Sequence, residues 1–453
     1  MERDLDIVVF GATGDTGVVA SCILFYKGRK LGLRSWAPAA RNLGKLKSDL
    51  LDRLPNTAPG EEGLTPSAPI QADSGDHDSL VKMCARAKCV VACAGPYEQY
   101  GEGVVRACVE AGTDYIDVTG EVPWVQRMER KYGEEAERRG VTLVSMAGYD
   151  SVPPDLTTYL AAKALQRGGE SMQRCEVFAG GGGGAMPTGT INTMCGAIAA
   201  GKSWLLGIAT FGLAGEKRKS PPADGSSPLI PKSGKKYVPD TEASNLSRNS
   251  LWTMCPGYSS LAGHFCLPHF MAPINIKVVH RTAASEGYGG LEYRERMGGL
   301  PSGLLSLYGL VPTCMGVAGA MVLGLLVALP YSTSAILKLR DTMNPPLQQQ
   351  VRRLMFEGFK STGKTTADAL AISHSGRTTV KVEMRSAYDP GLGFTMLSAC
   401  TVAGAILRKA RTSEKARSGF HTAVTAVGGE ALADALKEMG VQIEVSTQTS
   451  SRL

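Results

Sequence analysis

The chain lacks several features that mark particular classes of protein. Its 453 residues include only 6 histidines, and its 11 cysteines form no Cys-x-x-Cys pair. Because this metal-ligand spacing is missing, no metal site is predicted. The cysteines lie among apolar neighbours, as in "CVVACAG", which is typical of reduced thiols inside a cell. The charged start, "MERDLD", leaves no room for a signal peptide, so we expect an intracellular protein.

Aromatic residues are also scarce, at 6% of the chain. The net charge is +7, and part of the excess is local, at 216–220, 231–237 and 407–417. Nucleic-acid-binding surfaces usually interleave basic runs with aromatics, so no nucleic-acid partner is predicted. Two interpretations of these runs stay open: solvated faces, or a preference for a membrane surface or an acidic cofactor.

Charge is absent altogether between Arg296 and Lys338, and residues 304–329 are apolar nearly throughout. About 20 apolar residues span a bilayer core, so the length permits a transmembrane helix. Pro312 and several glycines argue against one plain span. A membrane-associated segment and a buried core helix are the alternatives, and a membrane or lipid-droplet surface is the partner that the first implies.

Strand and helix patterns alternate from residue 6 to about 150, which predicts a parallel sheet with helices on both faces. The fold class is therefore α/β, a Rossmann-type doubly wound sheet with an inserted α+β domain. The expected divisions are 1–155 for the nucleotide-binding domain, 156–395 for the substrate domain with a mobile loop at 214–249, and 396–453 for a segment that returns to the first domain.

In the second half, the predicted helices and strands are short. Helices are expected at 155–165, 395–407 and 429–440. Strands are expected at 174–180 and, as antiparallel partners, at 274–284 ("INIKVVHRTAA") and 377–388 ("RTTVKVEMRSAY").

The stretch "DIVVFGATGDTGVV" carries the strongest motif. Gly11, Gly14 and Gly17 follow an apolar strand pattern at a spacing of three residues. In a Rossmann unit such a turn brings helix N–H groups to a dinucleotide phosphate, and a Cβ would obstruct it. Thr13 and Thr16 are expected to add hydroxyl hydrogen bonds to the phosphate. A purely structural turn is the alternative.

The end of the second strand distinguishes the two nicotinamide cofactors. NAD-binding proteins place Asp or Glu there for the ribose 2′-hydroxyl. This sequence has "APAARN", with Arg41 and no carboxylate before Asp49. Because a guanidinium suits a 2′-phosphate, and Lys45 lies one helical turn further on, we predict NADP(H).

Several other residues follow predicted strands and are expected to meet at one crevice. Gly95 and Pro96 are assigned to the cofactor, and a rigid loop is expected to carry Tyr97 and Tyr100. Tyr97 is the candidate proton donor and Asp150 the candidate positioning or proton-relay group. Acidic residues also follow the neighbouring strands, and for any one of them a helix cap or loop ligand is favoured over a site role: Asp117, Glu121, Asp150, Asp155. Asp155 follows two prolines and fits an N-cap in particular.

These motifs resemble those of the saccharopine dehydrogenase-like oxidoreductases. The resemblance rests on "VVFGATGDTG", on Arg41, on "ACAGPYEQYGEGVVRACVEAGTDYIDVTGE" and on "GYDSVPPDL". It implies a Rossmann domain with an inserted substrate domain, and it places Gly11, Thr13, Gly14, Gly17, Arg41, Gly95 and Pro96 along the cofactor. "PTGTINT" (187–193) and 419–441 resemble the family's substrate-domain and terminal segments.

The family includes trans-acting enoyl reductases and lipid-droplet-associated members. "GYDSVP" departs from the pattern of lysine-pathway enzymes, which favours a lipid or polyketide-like substrate over saccharopine. The expected function is reduction by NADPH at the cytoplasmic face of a membrane or lipid droplet. A tethered NADP-binding scaffold with little turnover and a lysine-pathway dehydrogenase are the alternatives, and a homodimer is left open.

Two further patterns are interpreted as decoys. "GFKSTGKT" (358–365) fits the phosphate-loop expression G-x-x-x-x-G-K-[ST], but the segment before it looks helical rather than like a buried strand. His421 is expected to be a structural histidine rather than a site residue.

Overall fold

A computed structural model of the chain describes residues 3–54, 63–182, 257–266, 269, 271–297, 349–357, 360–411 and 417–450. The segments 187–193, 214–249 and 304–329 lie outside the described residues. The loop predicted at 214–249 and the choice between membrane and core for 304–329 therefore stay predictions.

Seven strands form the first sheet, in the order β13–β6–β5–β4–β1–β2–β3, and every neighbouring pair is parallel. Its strands are β1 (Leu5–Phe10), β2 (Trp36–Ala40), β3 (Ile70–Gln71), β4 (Ala87–Ala92), β5 (Asp114–Asp117), β6 (Thr142–Val144) and β13 (Gly419–His421). The predicted doubly wound sheet is confirmed.

Helices connect these strands and cover both faces of the sheet. They are α1 (Asp15–Lys27), α2 (Leu43–Asp49), α3 (His77–Arg86), α4 (Tyr97–Ala111) and α5 (Val122–Arg139). Strand β1 is buried along its whole length, with Ile7 and Val9 in the core on the α1 side and Val8 and Phe10 in the core on the α3–α5 side. This two-sided burial explains the unbroken apolar run in the sequence.

A second sheet has the order β10–β7–β11–β12–β14. It is formed by β7 (Met172–Gly182), β10 (Glu292–Met297), β11 (Lys364–Ser373), β12 (Thr378–Ser386) and β14 (Gln442–Thr449). Strands β7 and β10 are parallel and the other pairs are antiparallel. A separate hairpin pairs β8 (Gly257–Ser259) with β9 (His264–Cys266). Helix α6 (Val152–Arg167) packs on β7, β11 and β12.

The strand predicted at 274–284 is wrong, because these residues belong to helix α7 (Ala272–Glu286). The β-branched run "INIKVV" resembles a strand, yet Ile276, Val279 and Ala283 recur at helical spacing and all are buried. A proline in the first turn and the left-handed Gly287 after the last one bound the helix.

The C-terminal part contributes to both sheets. After a helical segment at 349–356 (α8), the described chain continues through α9 (Thr395–Arg411), α10 (Ala423–Val427) and α11 (Gly429–Glu438). Strand β13 extends the first sheet beside β6, and β14 extends the second beside β12. The resemblance predicts that the chain returns to the first domain, and β13 does so. Strand β14 then returns to the second sheet as well.

Within the described ranges, one helical stretch, Pro390–Arg411, is long and apolar enough to cross a membrane by length and composition. Its mean hydropathy is 1.5, but 89% of the apolar window lies inside the protein. Helix α9 packs against α1 and β4, so it serves here as a core helix.

Asp155 lies in the first turn of α6 and joins three elements. Ser151, rather than Asp155, occupies the N-cap position, which corrects the capping role predicted for Asp155. The Thr282 hydroxyl of α7 donates to Asp155 Oδ2 at 2.7 Å, and Thr282 Oγ1 lies 2.7 Å from Thr422 Oγ1, just before α10. Asp155 is 1% exposed, and loss of hydration raises the pKa of its carboxyl to about 8.

A neutral Asp155 makes the stability of the fold dependent on pH. In the unfolded chain an aspartate has a pKa of about 3.9. The contribution of the neutral Asp155 carboxyl to the free energy of unfolding is therefore complete below that pH and is lost as pH rises through about 8. We expect the free energy of unfolding to fall by up to about 1.4 kcal/mol per pH unit over this window from Asp155 alone.

Asp155→Asn should reduce that slope, most visibly between pH 6 and 8, because the amide cannot ionise. Chemical unfolding measured across this range tests the expectation. Asp434→Asn, on the exposed face of α11, is the matched control and should keep the wild-type slope. Equal slopes for wild type and Asp155→Asn would show that Asp155 is ionised in the folded protein.

Candidate active site

The carboxyl ends of the parallel strands form one edge of the first sheet, and the loops that follow them touch one another. Cys93 N donates to Phe10 O at 2.8 Å, and Ala147 N donates to Asp117 O at 2.9 Å. The edge thus collects nearly all of the predicted site residues: Gly11, Thr13, Gly14, Thr16, Gly17, Arg41, Gly95, Pro96, Asp150.

In the glycine turn after β1, the backbone at Gly11 and Gly17 packs too closely against neighbouring backbone atoms for a Cβ to fit. Gly11 has φ +80°, and a Cβ there would lie 2.9 Å from Ala94 N. At Gly17 a Cβ would lie 2.2 Å from Gly11 O. Thr16 Oγ1 donates to Cys93 O at 3.4 Å, so this hydroxyl links the turn to the end of β4. Thr13 is half-buried in the turn and Gly14 is exposed.

Helices α4 and α1 both begin at this edge, and their N-termini differ. Helix α4 is capped from outside: Glu121 accepts from Tyr97 N at 3.1 Å and from Glu98 N at 2.7 Å. Helix α1 begins after Gly14, which has no side chain to cap it. Since the free N–H groups of a first helical turn attract anions, the N-terminus of α1 is the place for a phosphate.

Arg41 follows β2 and projects into solvent, with 79% of its side chain exposed. Its nearest described acid is Asp73, whose Oδ2 lies 3.9 Å from Arg41 Nε. An exposed pair at this distance holds the guanidinium weakly. Lys45 is exposed on α2, where Asn42 caps the helix by accepting from Lys45 N at 2.9 Å. Both cations are therefore available to an anionic group beside the glycine turn.

Arg352 is a residue that sequence reasoning missed. It lies on α8, more than 300 residues after the glycine turn, and pairs with Asp15 in the first turn of α1. Helix α8 is also tied to α1 by the hydrogen bond from Tyr26 OH to Phe356 O, at 2.8 Å. No motif surrounds Arg352, so only the folded chain shows that a cation neutralises Asp15 beside the phosphate position.

The structure argues against the predicted role of Tyr97. Tyr97 lies in the first turn of α4 rather than in a loop, and its hydroxyl donates inward to Ala92 O at 2.8 Å. Burial raises the pKa of this phenol well above its usual range. A hydroxyl held against the backbone of β4 does not face the crevice, so it is poorly placed to donate a proton there.

Asp117 positions the loop that carries Asp150. Its carboxylate accepts from Thr119 N at 3.0 Å, Ser145 Oγ at 2.7 Å and Met146 N at 3.2 Å. Met146 has φ +61°, an unfavourable conformation for a side chain with a Cβ, and the Asp117 hydrogen bond helps to hold it. Desolvation raises the pKa of the Asp117 carboxyl to about 6.

Asp150 follows this loop at the bottom of the crevice and is partly exposed. Loss of hydration raises the pKa of its carboxyl to about 6, and the charge of His269 opposes that rise. A carboxyl that titrates near neutral pH is suited to proton transfer. The geometry thus brings Asp150 to the site as predicted, together with a histidine that the sequence did not single out.

The structure gives neither decoy a site role, although His421 ends β13 at the edge of the first sheet. Lys364 and Thr365 open the antiparallel strand β11, so the segment 360–365 does not lead from a parallel strand into a helix as a phosphate loop does. His421 belongs to β13, with Nε2 at 3.0 Å from Ser418 O, and burial lowers its pKa to about 4.

Comparison with known proteins identifies the first domain. Residues 7–144 match the family profile described as Saccharopine dehydrogenase NADP binding domain. Residues 7–144 are therefore similar to the NADP-binding domain of saccharopine dehydrogenases, which confirms the resemblance and the predicted cofactor NADP(H).

Relatives of this chain carry related names. It is 40% identical over 151 residues to a lipid droplet localized protein of Caenorhabditis elegans. It is 36% identical over 162 residues to a probable mitochondrial saccharopine dehydrogenase-like oxidoreductase of Arabidopsis thaliana, and 35% identical over 158 residues to a trans-acting enoyl reductase of Mycobacterium tuberculosis. Each match covers 33–35% of this chain and 34–35% of the relative, so the chain matches about a third of each relative's length.

A solved structure resembles the chain over a longer range. The apo saccharopine dehydrogenase (L-Glu forming) from Saccharomyces cerevisiae aligns with a TM-score of 0.51 and 12% identity, covering 98% of this chain and 99% of that chain. At this identity the likeness shows the fold alone, an NADP-binding type of sheet followed by a separate mixed sheet.

We expect Arg41 to set the preference for NADP(H) over NAD(H). Arg41→Glu replaces a cation that attracts the 2′-phosphate with an anion that repels it. Its affinity for NADP⁺ should fall by roughly tenfold to a hundredfold, while its affinity for NAD⁺ changes little. Titration calorimetry with both cofactors measures this, with the exposed Arg53→Glu as a charge-matched control. Equal loss in both variants would mean that Arg41 acts only through net charge.

Arg352 is expected to strengthen cofactor binding by neutralising Asp15. In Arg352→Gln the Asp15 carboxylate loses this ion pair beside the proposed phosphate position, so the Kd for NADP⁺ should rise by roughly threefold to tenfold. Arg353→Gln, whose parent side chain pairs with Glu357 on the exposed side of α8, is the control. An unchanged Kd in Arg352→Gln would show that this ion pair serves only to dock α8.

Proposed function

We propose that this chain, whose residues 7–144 form an NADP-binding domain, is an NADPH-dependent reductase. The observation that carries the proposal is the N-terminus of α1, which no side chain caps, in a glycine turn that leaves no room for a Cβ and is followed across the sheet by the exposed guanidinium of Arg41. When bound, NADPH supplies a hydride to an unsaturated carbon of a ketone, imine or enoyl group. The residues of the chain hold its phosphates and deliver the matching proton.

The substrate that we propose is a lipid or a polyketide-like molecule. Among the relatives, one is named an enoyl reductase and another is named for lipid droplets, which supports this class. A substrate with three carboxylates, such as saccharopine, needs free arginines. In the second sheet Arg174 and Arg294 instead lie 3.6 and 3.8 Å from the buried carboxylate of Glu176. Arg294 also pairs with Glu292, so two carboxylates compensate the two guanidinium groups and the cluster has little capacity to hold further carboxylates.

The proposed place of action is a membrane or lipid-droplet surface, at its cytoplasmic face. The apolar segment 304–329 and the name of the nematode relative support it. A second candidate function, an NADP-binding tether with little turnover, rests on the same segment and on the same cofactor site. The two functions differ in turnover and not in binding.

Turnover distinguishes these functions. We expect purified protein mixed with membrane lipid extract to oxidise NADPH, seen as loss of the absorbance of the reduced nicotinamide. With NADPH carrying deuterium on the transferred position, one deuterium should appear in a lipid of the extract, detected by mass spectrometry. Arg41→Glu should oxidise less at low NADPH, and Arg53→Glu should match wild type.

The other outcomes are equally definite. Binding of NADPH by calorimetry without oxidation would favour the tether and overturn the reductase. Reduction of NADP⁺ with added saccharopine would favour a lysine-pathway dehydrogenase. Absence of binding by either NADP⁺ or NADPH would remove the basis of all three functions.

A further inference from the structure

Buried polar side chains form a connected cluster where the second sheet approaches the crevice. Ser151 Oγ donates to Asn275 Oδ1 at 3.2 Å, and Asn275 Nδ2 donates to Glu295 Oε1 at 2.8 Å. The Tyr293 hydroxyl donates to Glu295 Oε2 at 3.0 Å. The chain of contacts runs from the N-terminus of α6, through α7, to β10, and Glu295 at its centre is fully buried.

His269 completes this cluster. Its Nδ1 lies 2.6 Å from Glu295 Oε1, and only 3% of the residue is exposed. Asp150 lies near enough for its charge to act on the same imidazole. Among the described residues, the charged groups that act on His269 are the carboxyls of Glu295 and Asp150. A histidine between two carboxylates favours the protonated, donating form.

The pKa values of two buried histidines, His269 and His280, are shifted in opposite directions. Burial lowers the pKa of His269, but attraction by Glu295 and Asp150 outweighs it and raises the pKa above its ordinary value. His280, buried on the next turns of α7 and stacked edge-on against Tyr293, is subject to the same loss of hydration without that attraction, and its pKa falls to about 4. The pKa values of the two buried imidazoles are thus shifted in opposite directions, and only that of His269 is raised.

The cluster lies beside the loops that follow β5 and β6 at the edge of the first sheet. Met271, two residues after His269, approaches within 3.7 Å of the point where a Cβ on Gly120 would lie, and Gly120 follows β5. Asp150 follows β6. Arg41 follows β2, on the opposite side of β1 in the sheet order. A dinucleotide with its 2′-phosphate near Arg41 and its pyrophosphate at α1 extends across the edge toward β5 and β6.

We propose that His269 donates the proton that accompanies hydride transfer, with Glu295 holding the imidazole in place and Asp150 returning a proton to it from solvent. The inference rests on the proposed reductase function. As the hydride reaches the carbon of a C=O, C=N or polarised C=C bond, the π electrons move to the oxygen, nitrogen or distal carbon, which takes the proton from His269 Nε2. The imidazole becomes neutral and recovers its proton through the partly exposed Asp150.

The test is a histidine titration of the loaded protein by NMR, with labelled histidines and the His269 signal identified by its loss in His269→Gln. If His269 faces the nicotinamide, the positive ring of bound NADP⁺ should lower the pKa of His269 by about one unit relative to bound NADPH. The exposed His374, on the turn after β11, is the internal control and should titrate alike in both complexes. An identical pKa of His269 in the two complexes would overturn the proposal.

Variants separate proton donation from a purely structural ion pair. Glu295→Gln keeps a hydrogen-bonding side chain but removes the charge, so the pKa of His269 should fall. The alkaline limb of NADPH oxidation in lipid extract should then move to lower pH. His269→Gln should slow that oxidation by roughly a hundredfold or more with an unchanged Kd for NADPH, and His374→Gln should not. Full turnover in His269→Gln would refute the role.

These measurements distinguish failure of the proposed reductase function from failure of the proton-donor assignment. Failure of NADP⁺ and NADPH to bind removes the reductase function itself. Binding of both cofactors, with a His269 that does not respond to the ring charge, removes only the assignment of the proton donor.

Discussion

The hydrogen bond between the Asp155 carboxyl and the Thr282 hydroxyl fixes helix α6 against helix α7, and the geometry of the crevice depends on it. Helix α6 continues directly from the loop after β6 and also forms the support on which β7, β11 and β12 pack. Helix α7 carries Asn275 and follows His269. Because α6 and α7 are joined in this way, Asn275 and Glu295 keep a fixed position relative to the edge of the first sheet.

The two ends of that edge carry different kinds of charged groups. At the glycine turn the protein presents N–H groups, Arg41 and Lys45, all of them suited to phosphate, and Arg352 neutralises the one carboxylate in the first turn of α1. At the other end it presents Asp150, Glu295 and His269, which are suited to exchanging protons. Glu121 covers the N-terminus of α4 between these two regions, whereas no side chain caps the N-terminus of α1.

The first domain could be predicted almost entirely from sequence because its signals are local. The unbroken apolar strands, the glycine turn and Arg41 lie within a few residues of one another. The position of Asp150 at the sheet edge could be predicted for the same reason, because it follows a predicted strand. The rest depended on contacts between distant segments: Arg352 reaches Asp15 across 337 residues, and His269 meets Glu295 with no motif around either. The errors have similar causes. The β-branched run at 274–279 imitates a strand, and nothing in "GPYEQY" indicates that the Tyr97 hydroxyl points inward.

Strands β13 and β14 have a consequence for how the molecule is made. Residues 7–144 contain the recognisable nucleotide-binding sequence, yet the sheet they form is completed by Gly419–His421, and the other sheet is completed by Gln442–Thr449. During synthesis on the ribosome, β6 and β12 remain open edges until residues 419–449 have emerged. Neither sheet is therefore complete before that point, and a fragment cut after the first domain would expose a sheet edge prone to aggregation.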